Sequence, residues 1–223
     1  MFRISRMLLI IGIMSCLAAC QTAQSSAEEE KKITAAKIND QLGIAYLERH
    51  DIQRAKQKFL LALDLAPNIP ESWYSMGYFL ESSGNREQAK KYYLKSVELA
   101  PERGDVLNNY GTFLCRSGDY QGAVSHFLKA AQDPKYLDVA AAYENAGLCS
   151  LKVPNNAQAL AYFEKALAED PGRSASLIEL AELNYKLGNY KKAREHLNQY
   201  LKQATPTMRS YLLEQKIDAK LGA

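Results

Sequence analysis

The chain has 223 residues, 47% of them hydrophobic, and a formal net charge of +3. That size fits one domain or a short repeat array. Its Lys and Arg residues are interleaved with nearly as many Asp and Glu, with no basic stripe or charged tail, so composition excludes a nucleic-acid-binding face.

At the N-terminus Arg3 and Arg6 precede an apolar run from Met7 to Leu17, and the small residues Ala18 and Ala19 lead to Cys20. This pattern predicts a secretion signal over residues 1–19. The apolar run is about half the roughly 20 residues needed to span a bilayer. Leu17-Ala18-Ala19-Cys20 resembles the lipobox of bacterial lipoproteins. That resemblance implies that the Cys20 thiol takes a diacylglyceryl group before its amine is freed by cleavage, and Gln21 in place of the inner-membrane-retaining Asp favours the outer membrane. Several acyl chains are needed to hold a protein stably at a membrane. Cys16 lies in the discarded segment. Residues 20–34 carry no periodic apolar face and read as a flexible tether.

From there the sequence repeats. Gly43, Gly77, Gly111 and Gly147 are spaced by 34, 34 and 36 residues, and Ala181 follows after a further 34. Twelve residues after each stands Ala55, Ala89, Ala123, Ala159 or Ala193, and four residues later Phe59, Tyr93, Phe127, Phe163 or Leu197. Pro67, Pro101, Pro134, Pro171 and Pro206 close the units. This is the tetratricopeptide-repeat (TPR) pattern, a helix-turn-helix in which small residues allow two helices to cross closely and an aromatic ring fills the gap. Gly84-Asn85, Gly118-Asp119 and Gly188-Asn189 supply a helix-ending glycine followed by an N-cap.

The fold class expected is an all-α TPR solenoid, a right-handed superhelix, over residues 35–223. Its helix pairs fall at about 36–69, 70–103, 104–137, 140–173 and 174–207, with a capping helix over 207–221. The extra pair of residues between repeats three and four predicts a longer connection around Asp133–Asp138 and a local change in the superhelix. Ala181 in place of glycine and Tyr200 in place of a small residue predict a splayed last pair.

Cys115 and Cys149 fall near the ends of first helices in adjacent repeats. They read either as a disulfide in an oxidising compartment, stabilising by about 2 to 4 kcal/mol, or as two small buried thiols. His50, His126 and His196 show no metal-ligand spacing, and phosphate loops, zinc-protease helices and nucleophile elbows are absent. No catalytic residue, metal, cofactor or small-molecule substrate is expected.

In TPR proteins the first helices line a concave groove. Carried onto this chain, that resemblance implies groove positions at Tyr74, Tyr78 and Glu81, at Asn108, Asn109, Thr112 and Arg116, at Glu144, Asn145, Leu148 and Leu151, and at Ile178, Glu182 and Tyr185. Such a lining suits an extended peptide or a helix. The cationic clamp of some TPR proteins is not evident, since its positions hold Asp40, Ile44, Ser75, Asp105 and Asn109.

The stretches Asn108-Asn109-Tyr110-Gly111-Thr112-Phe113-Leu114-Cys115 and Tyr143-Glu144-Asn145-Ala146-Gly147-Leu148-Cys149 resemble the PilF/PilW family of type IV pilus biogenesis lipoproteins. Lipobox, short tether, repeat number and the longer link before repeat four extend the likeness along the chain. It implies a pilotin, an outer-membrane lipoprotein facing the periplasm that binds the secretin subunit of the pilus and promotes its localisation and multimerisation. The alternative is a TPR lipoprotein scaffold for other envelope machinery, such as peptidoglycan hydrolases or β-barrel assembly.

Overall fold

The computed structural model describes residues 26–153 and 156–222, and every regular element among them is a helix. The signal segment, Cys16, Cys20 and the first residues of the expected tether lie outside the described residues. Helix α1 covers residues 26–48. It is followed by α2 (Ile52–Leu65), α3 (Pro70–Ser82), α4 (Arg86–Leu99), α5 (Gly104–Arg116) and α6 (Tyr120–Ala130). The remainder are α7 (Val139–Ser150), α8 (Asn156–Glu169), α9 (Ser174–Lys186), α10 (Tyr190–Gln203) and α11 (Met208–Leu221). They form two compact units, one ending at Leu99 and the other beginning at Ala100.

The expected small-to-large contact sets each helix pair. A Cβ added to Gly43 would stand 2.6 Å from the Phe59 ring, at Gly77 3.0 Å from Tyr93, at Gly111 2.8 Å from Phe127 and at Gly147 2.6 Å from Phe163. These rings are buried, so any side chain at the glycine would force the helices apart. The fifth pair redistributes the volume: Ala181 faces an aliphatic Leu197, and both are fully buried. The splaying expected there is absent from its core, because Tyr200 joins Leu213 and Ile217 of α11 in one cluster. In the other repeats a small residue at this position admits the start of the first helix; the Ser96 hydroxyl donates to Pro70 O at 2.8 Å.

Three of the turns use left-handed glycine, with φ of 82° at Gly84, 90° at Gly118 and 80° at Gly188. His50 takes that position in the first repeat with φ 58°. In repeat four α7 stops at Ser150, two residues short of the point where α5 and α9 stop in register. Asp119 caps α6 by accepting from Gly122 N at 2.9 Å, whereas Asn189 makes no side-chain cap.

The tether expectation is corrected at its end, because residues 26–34 are helical. Glu28, Glu29 and Glu30 complement the positive end of the helix, no Gly or Pro interrupts it before Gly43, and Ile33 packs against the cluster of Ala36, Ala62, Ala66 and Ile69. The long link before α7 has a structural use. The Asp133 carboxylate accepts from Gly104 N at 2.7 Å, at the start of α5, and Tyr136 packs so closely that a Cβ on Gly104 would lie 2.4 Å from its own.

Gly147→Ala is expected to destabilise the chain by about 1–3 kcal/mol through overpacking. Adding Phe163→Leu, which recreates the Ala181–Leu197 pairing, should recover at least about 0.5 kcal/mol relative to the sum of the single changes. Chemical denaturation of the four chains measures this cycle.

Candidate protein-binding face

In the first unit the face carried by α3 is aromatic and acidic. Tyr78 is 42% exposed, with Tyr74 and Glu81 half-buried beside it. The Tyr93 hydroxyl donates to Glu81 at 3.3 Å, so one expected groove residue is tied to the second helix of its own repeat. Beneath this face lies Asp40 of α1, buried, with one carboxylate oxygen accepting from the Ser72 hydroxyl at 2.8 Å and the other without a partner. Burial, opposed by the Ser72 hydrogen bond and reinforced by the charge of Glu71, pushes the Asp40 carboxyl up to about 6.

In the second unit α5, α7 and α9 lie side by side, and several expected groove residues tie them together. The Asn145 side-chain amide donates to the Asn108 carbonyl at 3.0 Å. Glu144 accepts from Ser176 N at 3.1 Å and Ser176 Oγ at 2.8 Å, and its other oxygen takes the Arg173 guanidinium at 3.0 Å. Asn109 and Thr112 turn inward to their own helix, donating to Asp105 O and Asn108 O, each at 2.8 Å.

Repeat five departs further from an open groove. Ile178 is only 6% exposed and belongs to the cluster closed by Leu213 and Ile217. Glu182 pairs with Arg209 of α11 at 2.6 Å, which holds its carboxyl below the usual range, and Glu179 takes the same guanidinium at 2.9 Å. Tyr185 packs partly against this cluster and against Tyr190, with ring centroids 5.5 Å apart. Leu151 caps α7 and packs against Ala159, Phe163 and Leu183. Thus Arg116, Leu148 (36% exposed) and Tyr78 keep the most outward surface of the expected set, and the ties through Arg173 and Arg209 are residues that sequence reasoning missed.

Cys115 and Cys149 are joined by a disulfide with a Cα–Cα separation of 5.9 Å, clipping the end of α5 to the end of α7. Among the histidines, His126 Nδ1 lies 2.7 Å from Gly122 O, while burial lowers the pKa of His196. Among the described residues no group of three or more His, Cys, Asp or Glu is placed to hold a metal ion, and no helix is long and apolar enough to cross a membrane.

Models of the tetratricopeptide repeat match residues 70–103 and 155–216. The chain is 30% identical over 207 residues to the type IV pilus assembly protein PilF of Pseudomonas aeruginosa, covering 92% of this chain and 81% of that one. The solved structure of Pseudomonas aeruginosa PilF superposes with a TM-score of 0.78 at 29% identity, covering 86% of each chain. PilW, described as a widely conserved type IV pilus biogenesis factor, superposes with a TM-score of 0.73 at 26% identity, covering 84% of this chain and 86% of its own.

Two outcomes follow. The raised Asp40 pKa means that the folded state holds a proton the unfolded chain has released. Its contribution to stability is therefore fully present below about 3.8 and is lost as pH rises through about 6. Asp40→Asn should gain stability relative to the parent across that window, by up to about 2–3 kcal/mol at neutral pH; a pH series of melting temperatures checks it. Replacing Cys115 and Cys149 together with Ser should cost about 2–4 kcal/mol for a closed loop of this length, as measured by denaturant midpoint.

Proposed function

The chain belongs to the PilF family of type IV pilus assembly proteins, and on that premise we propose that it is an outer-membrane lipoprotein pilotin that binds the pilus secretin subunit and promotes its multimerisation. The observation that carries this reading is the family likeness over 92% of the chain together with the Leu17–Cys20 lipobox ahead of the repeats. Lipid on Cys20 supplies the address, and the first-helix face supplies the contact. Holding the subunit near the membrane raises its local concentration, which favours ring assembly without any chemical step. The protein acts by binding rather than by catalysis.

The ties within the second unit suit this role. A face whose Glu144, Asn145 and Asn108 are already paired is held rigid, so binding there loses little side-chain entropy. In that unit the outward residues Arg116 and Leu148 then present a cationic and an aliphatic contact, suited to anchoring a helix or extended peptide.

Cys20→Ala should leave a chain with unchanged melting temperature that no longer sediments with outer membrane, and secretin multimer should fall with it. Normal secretin assembly by this variant would contradict the pilotin reading. Recovery of peptidoglycan hydrolases or β-barrel assembly subunits in place of secretin, on immunoprecipitation from envelope extracts, would favour the scaffold role.

A further inference from the structure

Three residues after Gly43, Gly77, Gly111, Gly147 and Ala181 stand Tyr46, Leu80, Leu114, Ser150 and Asn184. Leu80 and Leu114 are buried, and so is Asn184, whose amide donates to Leu180 O at 2.9 Å. Ser150 is the smallest of the five, and beside it the second unit has a cavity of about 380 Å³. The cavity lies between the second helices α6 and α8, lined by Tyr120, Val124 and Leu128 of α6, by Tyr162 of α8 and by Val153 from the turn after α7. Ser150, 1% exposed, forms its floor. A leucine at that register would take up part of this space.

The Ser150 hydroxyl has no hydrogen-bond partner among the described residues, whereas those of Ser72, Ser96, Ser176 and Ser210 are all paired. Its carbonyl accepts from Val153 N at 3.2 Å, so the unmet need belongs to the hydroxyl alone. Leaving such a buried group unpaired is costly. The Cys115–Cys149 disulfide, at the preceding residue, clips this end of α7 to α5 and fixes the floor in place. None of the lining residues is Asp, Glu, Lys, Arg or His, in a chain that is 24% charged, so an ionic ligand finds no counter-charge there.

We propose that this pocket takes the side chain of a tyrosine presented by a protein partner. The ring packs among Val124, Leu128 and Val153, in space that a leucine would occupy at this register. The phenol oxygen, at the far end of the ring on its axis, exchanges a hydrogen bond with Ser150 Oγ, since both hydroxyls donate and accept. Leucine, phenylalanine or an acyl chain would fill the space and leave Ser150 unpaired, and an indole N–H lies off the axis of its ring. Exposed Gln121 and Gln158 at the mouth offer amides to the peptide backbone on either side of the tyrosine. The walls come from second helices, whereas the secretin contact proposed above uses first helices, so this site does not rest on that reading.

The test is equilibrium binding of three capped pentapeptides, with tyrosine, phenylalanine or tryptophan between pairs of alanines, to the immobilised full chain and to its Ser150→Ala and Ser150→Leu variants. The tyrosine peptide is expected to bind saturably and about three- to ten-fold tighter than the phenylalanine peptide, the worth of one net hydrogen bond. Ser150→Ala should bring the two peptides to equal affinity with a melting temperature no lower than the parent's. Ser150→Leu, which supplies the side chain found at Leu80 and Leu114, should abolish binding of both. No saturable binding to the parent, equal affinity for tyrosine and phenylalanine, tightest binding by tryptophan, or a tyrosine preference that survives Ser150→Ala overturns the proposal. Secretin assembly enters none of these readings, so the pilotin role and this pocket stand or fall separately.

Discussion

The contact on which the structure depends is the one between a missing side chain and a ring. In each of the first four helix pairs a glycine on the first helix lies within 3.0 Å, measured from an added Cβ, of an aromatic ring on the second. That distance sets how closely the two helices cross. It leaves the flanking alanines, Ala55, Ala89, Ala123 and Ala159, fully buried in the same seam. Packing of this density does not adjust continuously, which is why the fifth pair must change both partners together, to Ala181 and Leu197. Each pair still has an apolar face left over, and stacking on the neighbouring pair within a unit buries it. Where the stack ends, a different solution is needed: α11 seals one end with Leu213 and Ile217, and α1 leaves Ile38 and Leu42 exposed.

Most of the fold was legible because its rules are local and periodic. The glycine-to-alanine-to-aromatic spacing fixed which residues face each other, and the turn glycines at 84, 118 and 188 have the left-handed φ their position demands. What escaped the sequence was non-periodic. Helix α7 stops two residues early in register, although the glycine, alanine and aromatic spacing of its repeat matches the others. Helix α1 runs back to residue 26 because Ile33 finds a cluster to pack on, which composition alone does not disclose.

The candidate face was less legible than the fold. Periodicity identifies positions on a helix, but it does not say whether a polar side chain there meets solvent or a neighbouring repeat. Glu144 and Asn108 stand at such positions and are consumed in ties to residues 32 and 37 positions away, close to one repeat period. The same spacing that builds the array thus brings complementary groups together, and a search for polar pairs about one period apart would have found them. Ile178 and Glu182 are removed from the open face by α11, whose approach is set by Tyr200 and the Arg209 pairings. Within each unit the outward groups are few: Tyr78 in the first, Arg116 and Leu148 in the second.

The proposed pilotin role has a TPR chain of the PilF family, with Leu17–Cys20 ahead of its repeats, hold a partner near a membrane. The most direct measurement is the amount of heat-stable secretin multimer in outer-membrane fractions of cells with and without this gene. Loss of the multimer on deletion, with monomer accumulating or mislocalised, is the predicted result. An unchanged amount of multimer in the deletion strain would contradict the pilotin role.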